Sequence, residues 1–224
     1  MIFVGDIHGN PKNVIEKMTR LEIQNEILIQ VGDFGRFEGD DLFITELDEF
    51  LRVTNNEMKV LRGNHDNPND WLDNPSYTNI QFVGDYDVQE IECMSVMFVG
   101  GGVSVDRERR KEGVSWWKNE IIKNPTQYDL ELMKTIDIMV SHVPIKKMYN
   151  HVLCSRYNES RFSSGVQKDL YIEQRLLENI YFLTTDKLKY WVSGHMHNHG
   201  KYVDLNGANF YFLGIDDLIE VKND

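Results

Sequence analysis

Cysteine is nearly absent: the 224 residues hold two, Cys93 and Cys154, which neither build a disulfide framework nor form a Cys-x-x-Cys pair. No thiolate metal site is offered, and a reducing compartment, the cytoplasm, is the expected setting. Long hydrophobic runs are missing too. No apolar stretch approaches the roughly 18 to 20 residues of a membrane helix, and the start, Met1-Ile2-Phe3-Val4-Gly5-Asp6, lacks a basic region followed by a long apolar one, so neither a membrane nor export is expected. Positive charge is in deficit, 24 Lys and Arg against 36 Asp and Glu, for a net charge of −12. Such a chain repels phosphate backbones and anionic lipid, which argues against bulk nucleic-acid binding. What is present is a globular balance: 41% hydrophobic residues, 27% charged, and 11 Phe, 10 Tyr and 4 Trp for a core, which excludes wholesale disorder. With no repeat, low-complexity tract or linker, residues 1–224 read as a single domain.

Ile2 to Val4, Ile27 to Val31 and Lys59 to Leu61 are short apolar runs that each lead into a Gly-Asp or Gly-Asn pair, the pattern of buried strands ending in tight turns. Between the first two, Asn10-Pro11 precedes Val14, Ile15, Met18 and Leu21, which predicts a capped amphipathic helix with proline in its first turn. Asp40 or Asp41 is placed to cap a second helix carrying Phe43, Leu47, Phe50 and Leu51. Alternating strands and helices imply crossover units and parallel strands. Further on, Ile80 to Val83, Val88 to Ile91 and Met94 to Val99 leave no room for helices between them and predict antiparallel or mixed pairing. A helix is expected from Trp116-Trp117 to Ile122, a shorter one around Leu130 and Met133, and a strand from Ile136 to Val140. A long surface loop is expected over residues 145–166, then a helix through Leu170, Leu177 and Ile180. Strands at Tyr190 to Val192, Phe210 to Leu213 and Leu218 to Val221 complete the pattern.

Five of the seven histidines, His8, His65, His142, His195 and His197, fall at the carboxyl ends of predicted strands, together with Asp6, Asp33 and Asn64. Open α/β sheets build their sites there, so loops distant in sequence can converge. These are oxygen and imidazole donors, hard or borderline, and they point to a metal site. Each motif alone has a structural reading as a cap or a turn; the joint pattern is what points to chemistry.

In order, the chain reads Gly5-Asp6-Ile7-His8-Gly9-Asn10, Gly32-Asp33, Gly63-Asn64-His65-Asp66, Ser141-His142 and Gly194-His195-Met196-His197. This set resembles the calcineurin-like metallophosphoesterase superfamily, whose blocks run Asp-x-His, Gly-Asp, Gly-Asn-His-Asp/Glu, a lone His and Gly-His-x-His. The stretch with Gly101-Gly102, Ser104, Asp106, Arg110 and Trp116-Trp117 is similar to small, stand-alone bacterial and phage members. The resemblance implies a four-layer α/β sandwich of two mixed β-sheets flanked by helices, with two metal ions at the strand ends. One ion would take Asp6, His8, Asp33 and His197; the second would share Asp33 and take Asn64, His142 and His195. It further implies in-line attack of a metal-bridging hydroxide on a phosphomonoester or phosphodiester, with His65 hydrogen-bonding a phosphoryl oxygen and protonating the leaving group. The donor set suits manganese first, with iron or zinc as alternatives. Neither the substrate nor the oligomeric state is legible. Two rival readings are a serine/threonine protein phosphatase and a metal-stabilised scaffold without turnover.

One block departs from the protein-phosphatase members, which read Gly-Asp-x-x-Asp-Arg-Gly. Here Arg36 fills the slot of the Asp that orients the catalytic histidine, and Phe37 that of the phosphate-clamping Arg. Glu38, Asp40, Asp41 and Asp66 are the carboxylates near enough in sequence to replace the missing one. Arg107, Arg109, Arg110 and Lys111 form the only dense positive cluster. It reads either as a solvated face or, through Arg110, as a bidentate contact to substrate phosphate.

Overall fold

The computed structural model describes residues 1–35, 42–69, 71–72, 77–150 and 159–222. Arg36, Phe37, Glu38, the Asp40 and Asp41 cap, His151 and Cys154 lie outside the described residues. Elements in chain order are β1 (Ile2–Val4), α1 (Lys12–Arg20), β2 (Ile27–Gln30), α2 (Leu42–Val53), β3 (Glu57–Val60), β4 (Ile80–Phe82), β5 (Val88–Ile91), β6 (Met94–Val99), α3 (Gln127–Met133), β7 (Ile138–Ser141), α4 (Lys146–Tyr149), α5 (Ser164–Thr184), β8 (Tyr190–Ser193), β9 (Gly200–Val203), β10 (Asn209–Phe212) and β11 (Leu218–Glu220).

The strands form two mixed sheets. In the first, ordered β11-β1-β2-β3-β4, β1 to β4 run parallel and β11 pairs antiparallel with β1. In the second, ordered β5-β6-β7-β8-β10-β9, the four central strands are parallel and the two edges antiparallel. Alternation along each strand divides the apolar residues between layers. Phe3, Ile29, Val31, Phe98, Val140 and Val192 share one cluster between the sheets. Val4, Leu28 and Val60 turn the other way, onto Val14 and Met18 of α1 and Leu47 and Leu51 of α2. Met97, Met139, Trp191 and Phe210 pack on Met133 of α3 and Leu177 and Ile180 of α5. Helices, sheet, sheet, helices make the four layers, each buried Leu, Ile, Val or Phe contributing about 1.5–3 kcal/mol. No described helix is long and apolar enough to cross a membrane.

Several local expectations differ from the structure. The three closely spaced runs are split: β4 extends the first sheet parallel to β3, while β5 and β6 form a hairpin in the second, turned by Glu92 and Cys93 at positive φ of 49° and 62°. α1 starts at Lys12, with Pro11 rather than Asn10 at its N-cap. No helix forms from Trp116 to Ile122. The Glu120 carboxylate instead collects Ser104 N and Trp116 Nε1, at 2.8 and 2.9 Å, and Arg62 Nη1 and Nη2 bond the carbonyls of Glu120 and Ile121 at 2.7 and 3.1 Å. These bonds hold the segment in turns, with Trp117 buried. Residues 145–166 are not one loop, because α4 opens the segment and the first turn of α5 ends it. β9 was not expected: its exposed face carries Lys201 and Val203 and offers little apolar alternation.

α5 passes a carboxylate into the interior. Glu173 is 4% exposed, and its Oε2 accepts from Val103 N at 2.8 Å. Burial pushes its carboxyl up to about 8, against the lowering effect of that backbone bond. Because this pKa lies above the unfolded value of about 4.5, the stability linked to the proton is complete below pH 4.5 and is lost as pH rises through 8. Glu173→Gln keeps an acceptor for Val103 N and removes the titration. The melting temperature of the variant minus that of wild type, both chelator-treated, is expected to climb from pH 5 to pH 8.5. A constant difference would show that this carboxyl does not titrate on unfolding.

Candidate metal centre

The parallel strands of both sheets end on one side of the sandwich, and every predicted ligand lies just past such an end. Asp6 and His8 follow β1, Asp33 follows β2, Asn64 and His65 follow β3, His142 follows β7, and His195 and His197 follow β8. Four of these positions have left-handed backbone: His8 (φ 49°), Asp33 (53°), His195 (68°) and His197 (52°). Each costs about 1 kcal/mol or more for a residue with a Cβ, so the surrounding bonds must hold the loops in this form. The Asp33 carbonyl accepts from the Ile7 and His8 N–H groups at 3.1 and 2.8 Å, and the Asp33 carboxylate accepts from His65 N at 2.8 Å. Asp66 Oδ2 takes Gly63 N and Phe34 N, at 2.7 and 3.1 Å, and its Oδ1 takes Gly35 N at 2.7 Å. The last residue of the Gly-Asn-His-Asp block thus ties the β2 and β3 loops together.

Two motif glycines are there because a neighbouring carboxylate needs the space. A Cβ on Gly63 would stand 2.1 Å from Asp33 Oδ1, and one on Gly194 would stand 2.2 Å from Asp6 Oδ1. Any larger residue would displace the acid.

The donor atoms gather in two groups that share Asp33: Asp6, His8, Asp33 and His197 in one, Asp33, His142 and His195 in the other. In the first, His8 Nε2 and His197 Nε2 are 3.0 Å apart, His197 Nε2 lies 3.2 Å from Asp6 Oδ2, and His8 Nε2 lies 3.9 Å from Asp33 Oδ2. In the second, Asn64 Oδ1 lies 3.0 Å from His142 Nε2 and 2.9 Å from His195 Nδ1, while His142 Nε2 is 3.2 Å from Asp33 Oδ1. His142 turns Nε2 inward because its Nδ1–H donates to Val31 O at 3.0 Å. So many lone pairs at such separations need a cation among them, and the residues fit a metal ion.

Electrostatics without an ion carry the same message. Burial raises the Asp6 carboxyl above its ordinary value. Burial acts on Asp33 in the same sense, yet the adjoining His142 overrides it and holds this carboxyl well below the carboxylate range. His142, although desolvated, is pushed up to about 9 by Asp33, whereas burial and then His142 push His195 down to about 3. A proton on His142 takes the place of a cation, and metal binding has to displace it.

His65 lies beside this centre, its Nε2 3.9 Å from Asp33 Oδ2. What faces its ring nitrogens is a guanidinium: Arg110 Nη1 and Nη2 are 2.8 and 3.1 Å from Nδ1 and Nε2. Burial lowers His65 to about 4, and Arg110 adds to this while Asp33 opposes it. Asp106 in turn grips Arg110 through Nε at 2.7 Å and Nη2 at 2.8 Å. Asp106 thus acts on His65 one residue removed, through Arg110, and sequence reading missed it. The i, i+4 spacing of Asp106 and Arg110 is its only trace. Arg107 turns away to pair with Asp169 at 2.7 Å, so the basic cluster is divided. His199 stands outside the site, paired with Asp217 at 3.1 Å.

The calcineurin-like phosphoesterase family profile matches residues 1–199. No curated protein matches the sequence. Similar solved structures include a dimetal phosphatase from Danio rerio (10% identity, TM-score 0.54, covering 96% of this chain and 87% of that one). A protein from Thermus thermophilus is similar at 11% identity (TM-score 0.53, 96% and 89%). A phosphopantetheinyl hydrolase from Mycobacterium tuberculosis is similar at 13% (TM-score 0.50, 95% and 89%). At these identities the likeness is one of fold.

Asp33→Asn removes the one charge common to both donor groups. Metal content after manganese loading and desalting is expected to fall at both, and an unchanged stoichiometry of two would overturn the shared role. Asp137→Asn is the control. Asp137 precedes β7 at the opposite end, accepts from Ser95 N at 3.0 Å and pairs with Lys189 at 3.2 Å, so this change is expected to leave metal content intact.

Proposed function

The chain belongs to the calcineurin-like phosphoesterase family, and from that premise we propose that it hydrolyses a phosphomonoester or phosphodiester at two metal ions sharing Asp33. The observation that carries this reading is the convergence of two donor groups on one buried carboxylate. Asp6, His8, Asp33 and His197 would hold one ion; Asp33, Asn64, His142 and His195 the other. Such a pair supplies Lewis acidity toward a phosphoryl oxygen and lowers the pKa of water. The carboxylate, carboxamide and imidazole donors suit manganese first, with iron or zinc as alternatives.

The protein's own residues do the rest. Arg110, fixed by Asp106, presents its guanidinium at the edge of the centre, where it can take phosphate oxygens. His65 lies where a ring nitrogen can hydrogen-bond the phosphoryl group and pass a proton to the departing oxygen. Its guanidinium neighbour disfavours the imidazolium, so proton donation is weak and esters with good leaving groups are favoured. The single-domain reading of residues 1–224 is kept. The exposed thiol of Cys93 suits the cytoplasm.

The direct test is hydrolysis of an aryl phosphate by chelator-treated protein with manganese restored. Metal uptake without turnover would leave the scaffold reading in place. His65→Ala is expected to cost far more with an alkyl than with an aryl ester, and an unchanged ratio of the two rates would remove the proton-donor role. Arg110→Ala should lower kcat/KM at least about tenfold, roughly 1.4 kcal/mol, whereas Arg107→Ala and Arg109→Ala should not. Equal small effects from all three would reduce the cluster to a solvated face.

A further inference from the structure

Beside the metal centre lies a cavity of about 30 Å³, between α4, α5 and the loops that follow β7 and β8. His195, whose Nδ1 faces Asn64 in the second donor group, forms one wall, and Val143, Tyr149, Leu170 and Met196 make the others apolar. Half-buried Lys146 and exposed Asn150 border it toward solvent. Two more polar side chains line it. Gln174 is fully engaged: its Oε1 accepts from Lys146 N at 2.7 Å and its Nε2 donates to Pro144 O at 3.2 Å. Glu173 is not. Its Oε2 accepts from Val103 N at 2.8 Å, but the buried Oε1 has no hydrogen-bond partner among the described residues. An orphan of this kind costs about 1–3 kcal/mol, and its persistence in a folded protein calls for a ligand or a function.

Glu173 stands close behind the metal ligands. Val103, which bonds its Oε2, follows Gly102, and Gly102 is pressed against the centre: a Cβ there would lie 2.6 Å from Val143 Cγ2 and 3.6 Å from both Asn64 Cβ and His142 Cδ2. Size and chemistry narrow what the cavity can take. One water needs roughly 10–15 Å³, so the space suits about two heavy atoms, a carbon and a polar end. The apolar walls suit the carbon, and Glu173 suits the end. Burial pushes its carboxyl up to about 8, so at neutral pH it carries a proton. A hydroxyl satisfies Oε1 in either state, donating to a carboxylate or accepting from a carboxyl. An ammonium fits only the ionised form, and it would enter past Lys146.

We propose that this cavity takes the alcohol side of the ester and that Glu173 is its specificity-determining residue, selecting phosphate esters of short polyols over plain alkyl esters. The inference rests on the phosphoesterase reading and narrows its substrate class. The phosphate stays at the ions, a short stem passes His195, and the terminal hydroxyl meets Oε1.

The test compares kcat/KM of manganese-loaded protein for hydroxyethyl, propyl and aminoethyl phosphate, esters of nearly equal size. Calorimetric titration with hydroxyethylphosphonate and propylphosphonate reads the same preference without turnover. The hydroxyethyl compound should be favoured over its propyl counterpart at least about tenfold in both measurements, and the aminoethyl ester should not surpass it. Glu173→Leu, which removes the polar end, should bring the hydroxyethyl-to-propyl ratio to about one. Glu173→Gln keeps a donor and an acceptor and should preserve it. A merely structural role predicts instead that Glu173→Leu slows every ester alike and leaves the ratio unchanged. The wild-type ratio carries the test even if Glu173→Leu does not fold. Equal treatment of hydroxyethyl and propyl compounds by wild type would overturn the pocket while aryl phosphate hydrolysis still stood, and a preferred aminoethyl ester would overturn the hydroxyl assignment. Protein that hydrolyses no ester and binds neither phosphonate would overturn the phosphoesterase reading as well.

Discussion

The Asp33 carboxylate is the constraint around which the rest of the molecule is arranged. It is 1% exposed, it belongs to both donor groups, and it accepts from a backbone N–H of the neighbouring loop. A buried carboxylate unpaired with positive charge costs several kcal/mol. Asp6, as deeply buried beside it, adds a second such group. Two buried acids side by side demand compensation, and the chain provides it with imidazoles: Asp33 pushes the desolvated His142 up to about 9, so that it holds positive charge in the place a cation would take. Charge balance explains both why so many histidines converge here and why their own proton affinities are driven in opposite directions.

Strained loops are the geometric side of this arrangement. A strand that simply continued would carry its ligands past one another. Left-handed residues at His8, Asp33, His195 and His197 fold each chain segment back so that side chains from β1, β2 and β8 meet above the sheet ends. Strain of this kind persists only where neighbours over-determine it. Asp66 supplies part of that determination with three backbone N–H bonds, and the Asp33 carbonyl supplies another part by capping the His8 turn. Arg62, buried two residues before Asn64, joins the end of β3 to the end of β6 through Asp85 and three carbonyls, so the two sheets present their edges in one fixed relation.

Residues 100–120 work on the site from outside the ligand set. Ser104 touches Asn64, Arg110 touches His65, and Glu120 and Asp106 hold those two contacts in turn. The segment is nonetheless nearly free of helix or strand. Its shape comes from side-chain carboxylates bonding to backbone and to other side chains, a class of interaction that leaves almost no periodic mark on a sequence.

The legible part of this protein was the part with period or with motif. Strands β1, β2, β6 and β8 alternate or run apolar with turn residues behind them, and the helices that flank them carry apolar stripes, so four layers and the strand-end placement of Asp6, Asp33, Asn64 and His142 follow from local pattern and from family resemblance together. Local pattern failed where the deciding partner is far away in the chain. The Trp116 to Ile122 segment has helical spacing, yet Arg62, more than fifty residues earlier, occupies its carbonyls. The sequence offers Glu38, Asp40, Asp41 and Asp66 as carboxylate partners for His65, and the group that faces its ring nitrogens is Arg110, delivered by the second sheet. Sequence by itself determined which side chains are chemically able to bind a metal and which strand end each one occupies, because both depend on short-range order. Only the tertiary structure decided which nitrogen, oxygen or guanidinium each one faces, because those choices are made by hydrogen bonds between loops that meet only when the two sheets pack.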